Sequence, residues 1–217
     1  RTTFPEGLET LGHAAYHETL DVKAYACYGC PIGCGRVTTI KDGPYSGMHG
    51  GGPEYETVAA FGSKCLVTDL NAVAAANHVT NDLGLDVIST GQVIATAMEW
   101  YEEGLLSDED TGGLDLTWGN GEAVVELVKR IGRREGLGSL LANGVKRAAE
   151  DLGPGAERAA MHVKGLEMAA DGVRASKGET LSHVISPRGA DHLRPYASAI
   201  DAFGYREPEL GIEQDVD

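Results

Sequence analysis

The sequence has 217 residues, 42% of them hydrophobic and only 6% aromatic, and its 18 basic and 33 acidic side chains give a formal net charge of -15. A chain of this length can bury one or two cores, and it has no run of about 18 apolar residues, so no membrane span is expected. The acidic balance also disfavours nucleic acid and anionic membranes as partners, because contact with their phosphates would be repulsive overall.

Three cysteines lie close together near the N-terminal end, in the stretch "CYGCPIGC" that contains Cys27, Cys30 and Cys34. Such close neighbours are poorly placed to form disulfides between distant segments, and clusters of this kind are typical of metal binding in a reducing, cytoplasmic compartment. The second C-x2-C half of a zinc site is absent, and three close cysteines plus a distant one favour a 4Fe–4S cluster. Zinc and unligated thiols remain alternatives. Cys65 is interpreted as a small core residue rather than the fourth ligand.

The rest of the chain is dominated by helical patterns, and its fold class is predicted to be mainly α. Asp69 and Ser139 are predicted helix N-caps, and Gly84 and Gly104 are predicted helix ends. The helical patterns cover 53–65, 68–84, 89–104, 120–136 and 138–153, and the strand-like pieces are 37–43 and 161–169. The predicted pattern lacks the alternation of strands and helices that forms a parallel sheet. The glycine-rich stretch "LGPGAE" predicts two units, residues 1–155 and 156–217.

Two polar motifs lie on either side of the second helical pattern. In "GGGPEYET", glycines before a helix can present N–H groups to an anion, with Glu54 and Glu56 at the mouth, although acids are also ordinary in a first helical turn. In "NDLGLDVIS", Asn81, Asp82 and Asp86 can hydrogen-bond a pterin or purine edge. A helix stop followed by a new N-cap explains the same residues.

The stretch "SHVISPRGADHLRPY" contains the remaining candidate groups, His183, Arg188, Asp191, His192 and Arg194. Histidine is the usual proton-transfer group near neutral pH, and arginine binds phosphate or carboxylate through two parallel hydrogen bonds. A surface loop with incidental histidines is the alternative.

In this order and spacing, the motifs resemble those of the aldehyde ferredoxin oxidoreductase family of tungsten–pterin enzymes. The resemblance spans residues 24–196, and the segments that carry it are "CYGCPIGCGR", "GGPEYET", "NDLGLDVIS", "LLANGVKRAAEDLG", "HVKGLEM" and "SPRGADHLR". It implies a fragment of a three-domain enzyme: the helical second domain, containing the cluster and the first pterin motif, and the beginning of the helical third domain. The β-rich base domain would be absent.

The cofactors that the resemblance implies are a 4Fe–4S cluster and a tungsten or molybdenum bis-pyranopterin. Three of the four cluster ligands would be Cys27, Cys30 and Cys34, and the fourth is expected beyond Asp217. The residues expected to bind the pterin cofactor are Asn81, Asp82, Gly84, Leu85, Asp86 and Arg188. Asn81 stands where the family usually has aspartate, which changes its hydrogen-bonding role without removing it.

The resemblance further implies that Glu56 and His192 lie beside the metal as catalytic residues, with Glu54 as the fallback acid. The reaction would be oxidation of an aldehyde to a carboxylic acid, with ferredoxin as electron acceptor and a homodimer possible. After "HVKGLE" this chain has "MAADGVRA" where many members have "LPAYDPR", so the identity of the aldehyde stays open. A tungsten subunit of an aromatic acyl-CoA reductase and a non-catalytic zinc- or cluster-binding helical module are the alternatives. The isolated fragment is expected to be inactive.

Overall fold

A computed structural model describes residues 4–170, 173–174, 176–194, 196–197 and 207–211. Its helices are α1 (Pro5–Thr10), α2 (His13–Thr19), α3 (Tyr55–Thr57), α4 (Leu70–Asp82), α5 (Val87–Glu102), α6 (Gly121–Arg133), α7 (Leu137–Leu141), α8 (Val145–Leu152) and α9 (Lys177–Ile185). A π-helical segment, Val58–Ser63, continues α3, and short 3-10 turns cover Ala156–Arg158 and Pro208–Leu210. The prediction of a mainly α fold is confirmed. In this part of the chain, no helix has the length and apolarity needed to cross a membrane.

The core is built from helices with small side chains. Alanines fill the buried side of α4, and α4 packs against α6, while α5 packs against α3 and the π-helical segment. The largest fully buried side chain is Trp100 of α5, whose indole N–H donates to the carbonyl of Ala156 at 2.9 Å. A buried indole needs such a partner, because an unpaired donor in the core is costly.

Most helix boundaries follow the local signals in the sequence. The Asp69 carboxylate accepts a hydrogen bond from Asn71 N at 2.9 Å, which confirms it as an N-cap, and Gly84 has a left-handed φ of 67° just after α4. The prediction for Ser139 is wrong. The segment forms two helices, and Ser139 lies inside α7, while α8 begins after Gly144, whose φ is 85°.

A three-stranded antiparallel sheet contains strands that the sequence did not indicate. Its order is β1 (Leu20–Tyr25), β2 (Gly35–Ile40) and β3 (His49–Gly51), and a separate hairpin pairs β4 (His162–Val163) with β5 (Leu166–Glu167). The two predicted strand-like pieces contain parts of β2, β4 and β5. Strand β1 was missed because four of its six residues are exposed, so it lacks the alternating apolar pattern of a half-buried strand.

Hydrogen bonds cross the predicted division between residues 155 and 156. Besides the bond from Trp100 to Ala156, the buried Glu167 of β5 accepts a hydrogen bond from Val145 N at 2.6 Å. Val145 is the first residue of α8, and Gly144 before it offers no side chain to cap the helix. Glu167 therefore acts as a cap from a distant part of the chain. The two-unit division stays a prediction.

We expect Glu167→Ala to lower the free energy of unfolding by about 2 kcal/mol, because it removes the acceptor for an orphan N–H of α8 and leaves a cavity. Urea denaturation measures the change. The matched control is Glu150→Ala, since Glu150 on the same helix is exposed and pairs with Lys146 at 3.8 Å. Such surface pairs contribute about 0.5 kcal/mol. Equal losses for the two variants would contradict the role of Glu167.

Candidate functional site

The three clustered cysteines lie on the loop that joins β1 to β2, so the sheet places them together at one end. The loop closes at the paired residues Tyr25 and Gly35. Cys27 and Cys34 are exposed and Cys30 is half-buried. Two glycines of this loop have left-handed φ values of 73° and 60°, which let the chain turn sharply between the cysteines.

Within the described residues, no three cysteine, histidine, aspartate or glutamate side chains converge closely enough to hold a metal ion. The fit of the loop to a thiophilic metal group therefore rests on its donor chemistry: three thiols in one short, open turn, with no acidic residue between Cys27 and Cys34. The ligand role of the three cysteines stays a prediction.

Cys65 is fully buried, as the sequence interpretation expected. Its Sγ donates to the carbonyl of Ala60 at 3.4 Å, and burial raises the pKa of the thiol to about 12. Because the thiolate is the metal-binding form, a thiol that stays protonated across the neutral range is a poor ligand. Cys65 is a core residue.

A cleft of about 570 Å³ lies between the cysteine loop and the start of α3, and its lining includes Cys34, Arg36 and Glu54. An Arg36 guanidinium nitrogen lies 3.3 Å from a carboxylate oxygen of Glu54, and the guanidinium sits 5.6 Å from the centre of the Tyr16 ring. Tyr16 donates through its hydroxyl to the carbonyl of Pro53 at 3.1 Å. Burial raises the pKa of Tyr16, and the nearby Arg36 opposes that rise.

Sequence reasoning assigned no role to Arg36 or Tyr16. Tyr16 lies on α2, which the sequence reading did not identify as a helix. The available signal was the position of Arg36, two residues after the last clustered cysteine and at the start of a strand pattern. Its partners come from segments that are distant along the chain, so spacing alone did not reveal them.

The two candidate acids have different surroundings. Glu54, at the N-cap position of α3, is 60% exposed and faces Arg36. Glu56, in the first turn, is half-buried, and its two carboxylate oxygens accept from Ala170 N at 3.0 and 3.3 Å. α3 then continues as the π-helical segment, a geometry that is frequent at functional sites.

The chain segment after β5 is held against this helix by a second contact. Lys64, just beyond the π-helical segment, donates from Nζ to the carbonyl of Met168 at 2.6 Å. A cleft of about 980 Å³ lies beside this contact, and its lining includes Tyr55, Trp118 and Arg174. Met168, Ala169, Ala170 and Val173, from the described part of the "MAADGVRA" stretch, also line this cleft.

The "NDLGLD" segment forms the turn between α4 and α5. Asp86 caps α5, because its Oδ1 accepts from Ser89 N at 2.7 Å, so the helix stop and N-cap expected as an alternative are present. Asn81, Asp82, Gly84 and Asp86 are nevertheless exposed, with Leu85 half-buried. Cofactor binding by this turn is compatible with its exposure and stays a prediction.

The "SPRGADH" loop is tied to the β4–β5 hairpin. Lys164 donates from Nζ to the carbonyl of Ser186 at 2.6 Å, and a side chain at Gly189 would collide with the carbonyl of Val163. Arg188 pairs with Asp191 at 3.0 Å.

The two histidines of this stretch lie in different settings. His192 is half-buried in the loop, whereas His183 lies inside α9 and is buried in a pair with Glu179 at 3.2 Å. Arg194 is exposed. Of these two histidines, only His192 has a side chain that is partly accessible to solvent.

The structure joins some of the candidate residues and leaves others apart. The cysteine loop and Glu54 share one cleft, and Glu56 and the "SPRGADH" loop both contact the hairpin or the segment that follows it. No hydrogen bond or ion pair in the described part of the chain links Glu56 to His192. The "NDLGLD" turn lies on other elements, α4 and α5.

We expect thiol labelling of the metal-free protein to separate the four cysteines. Cys27 and Cys34 are exposed and should react within the mixing time of a maleimide at neutral pH, while Cys65 should react only when the core opens. Mass spectrometry of digested protein at successive times measures the order. Cys65→Ala provides the control for peptide assignment. Labelling of Cys65 as fast as Cys34 would contradict its burial.

The comparisons with known proteins agree with the resemblance found in the sequence. The family model described as "Aldehyde ferredoxin oxidoreductase, domains 2 & 3" matches residues 1–217. A tungsten-containing aldehyde ferredoxin oxidoreductase of Pyrococcus furiosus is 40% identical over 203 residues, covering 93% of this chain and 32% of that protein. The corresponding protein of Thermococcus kodakarensis is 37% identical, with the same coverage.

Two further similar proteins have names that indicate other reactions. The aliphatic sulfonate oxidoreductase, WOR-like subunit, of Pyrococcus furiosus is 35% identical over 84% of this chain and 30% of its own length. The solved active-site complex BamBC of benzoyl coenzyme A reductase, in complex with 1,5 Dienoyl-CoA, matches with a TM-score of 0.61 and 31% identity, over 72% of this chain and 23% of that chain. The chain spans about a third of the length of the curated relatives that it matches.

Proposed function

Because the chain belongs to the aldehyde ferredoxin oxidoreductase family, we propose that it is part of a tungsten or molybdenum enzyme that oxidises aldehydes to carboxylic acids. The observation that carries the proposal is the position of the three-cysteine loop, which shares a cleft with the start of the helix that contains Glu54 and Glu56. An electron-transfer group on that loop would lie next to the helix that supplies the candidate acids.

Cys27, Cys30 and Cys34 would hold three corners of a 4Fe–4S cluster, and a fourth ligand from another segment would complete it. Ligands on one short loop are usual for such clusters. A cluster held by these cysteines would supply one-electron transfer, and ferredoxin, which the relatives' names indicate, would be the electron acceptor.

The "NDLGLD" turn and Arg188 would bind the bis-pyranopterin that carries the tungsten or molybdenum. Exposed amide, carboxylate and guanidinium groups suit the N–H edge and the phosphate of such a cofactor. When bound, the metal supplies Lewis acidity and accepts two electrons.

The chain's own residues would handle the protons of the reaction. An aldehyde and water give a carboxylic acid, two electrons and two protons, so a base is needed to activate water. Glu56 suits this role because Ala170 N orients its carboxylate, and a half-buried position limits competing solvent. His192 would orient the substrate carbonyl or move the second proton. Glu54 is the fallback acid, although its pairing with Arg36 suits it to a positioning role.

Among the alternatives, the benzoyl coenzyme A reductase match favours the aromatic acyl-CoA reductase reading. That match covers less of the chain and is less identical than the matches to aldehyde oxidoreductases, so we place aldehyde oxidation first. Family membership favours an enzyme over a non-catalytic zinc- or cluster-binding module. Homodimer formation and a cytoplasmic location remain predictions.

Metal analysis of the full-length protein, produced anaerobically with tungstate, tests the cofactors. We expect about four irons per subunit together with tungsten or molybdenum. Cys27→Ser, Cys30→Ser and Cys34→Ser should each lose most of the iron, because each removes a thiolate ligand. Cys65→Ala should keep it, since Cys65 is a core residue. Stoichiometric zinc without iron, or equal iron in all four variants, would refute the cluster.

Steady-state kinetics of the same full-length protein test the catalytic assignment. We expect Glu56→Gln to lower kcat by about 100-fold or more, because the amide still fits beside Ala170 N but cannot take a proton. Glu54→Gln should have a smaller effect on kcat. Assays with aldehyde and ferredoxin, and separately with an aromatic acyl-CoA, identify the reaction. Activity on the acyl-CoA alone would favour the reductase alternative, and an unaffected kcat in Glu56→Gln would exclude Glu56 as the base.

A further inference from the structure

We infer that Arg36 is a positioning residue that holds a fixed positive charge beside the cysteine loop and raises the reduction potential of the cluster bound there. The inference rests on the proposed function, because it requires a cluster on Cys27, Cys30 and Cys34. It adds a role for a side chain that is neither a ligand nor one of the candidate acids.

Arg36 and the last clustered cysteine line the same cleft. Arg36 lies on β2, where it pairs with Ala24 of β1, and Cys34 immediately precedes that strand. Both residues border the cleft beside the loop together with Glu54.

Two contacts hold the guanidinium in that cleft. It pairs with Glu54 at 3.3 Å and lies near the ring of Tyr16, and its side chain is 36% exposed. Gly52 leaves the space that the arginine stem occupies, because a Cβ at Gly52 would lie 2.6 Å from Arg36 Cγ. The Arg36 carbonyl also accepts from Gly52 N at 2.8 Å. A side chain held at both ends stays close to the loop instead of moving into solvent.

A fixed positive charge at this position acts on the two redox states unequally. Reduction adds one negative charge to a cluster that four ligands already make anionic, and a nearby cation stabilises the reduced form more than the oxidised form. Net charge and hydrogen bonds around a cluster are among the factors that set its potential. Arginine keeps its charge at every accessible pH, so the effect does not depend on a protonation event. The negative charge of Glu54 would offset part of this effect on the potential.

Potentiometric titration of the full-length holoprotein, followed by the electron paramagnetic resonance signal of the reduced cluster, tests the role. We expect Arg36→Gln to lower the midpoint potential, so that at a fixed potential the ratio of reduced to oxidised cluster falls about tenfold. For a one-electron couple that change corresponds to about 59 mV. Arg36→Lys should restore most of the potential, because it returns the charge without the planar fork.

Two further variants separate a local charge effect from other causes. Arg147→Gln makes the same charge change at an exposed position on α8 and should leave the potential unchanged. Glu54→Gln removes the opposing charge and should raise the potential, which keeps the test available if Arg36→Gln fails to assemble its cluster.

An unchanged potential in Arg36→Gln with its cluster intact would overturn the inference, as would an equal shift in Arg147→Gln. An unchanged potential in Glu54→Gln would also overturn the inference. A wild-type protein that contains no iron would instead refute the proposed cluster, and iron analysis before each titration tells the two failures apart.

Discussion

The close approach of two helices at Ala60 and Gly91 sets the positions of the elements around the candidate site. A Cβ added at Gly91 would lie 2.4 Å from the Cβ of Ala60, so only glycine allows α5 to pack this tightly against the π-helical segment. Packing of this kind needs small residues on both sides, and the alanine-rich core of α4 continues the same pattern. This close packing also fixes the start of α3, where Glu54 is the N-cap residue and Glu56 lies in the first turn.

That first turn separates two acids that the sequence places only two residues apart. Glu54, at the N-cap, faces Arg36 beside the cysteine loop, whereas Glu56, two residues later, contacts the segment after β5. Each carboxylate then meets a donor of a different kind, a guanidinium in one case and a backbone N–H in the other. The first arrangement sets a cation against the carboxylate beside the loop, and the second orients a carboxylate through a backbone donor. An ion pair and an oriented base have different chemical roles.

The sequence predicted the helices best where the signal is local. Asp69 binds a backbone N–H two residues away, so its role as a cap follows from composition and spacing alone. The prediction of Ser139 as an N-cap was wrong. Gly144, five residues later and with a left-handed φ, precedes a new helix, and Ser139 lies inside the helix before it. Strand β1 was not predicted, because its residues are mostly exposed.

The capping of α8 by Glu167 and the contacts of Arg36 depend on pairs of segments that only the fold brings together. The motifs of the candidate site contain no signal for these partners, because the partners lie far away along the chain.

The contacts of β2 and α2 with residues 52–54 connect the two halves of the candidate site. Gly52 N donates to the Arg36 carbonyl, the Tyr16 hydroxyl donates to the Pro53 carbonyl, and Glu54 pairs with the Arg36 guanidinium. Three consecutive residues before α3 are thus bound to elements that border the cysteine loop. A displacement of the loop end of β2 would therefore move the start of α3, and with it Glu56. One of these contacts joins two backbone groups, and the other two use the side chains of Tyr16, Arg36 and Glu54. Together they set the spacing between the cysteine loop and the start of α3, because each bridges segments that are distant along the chain.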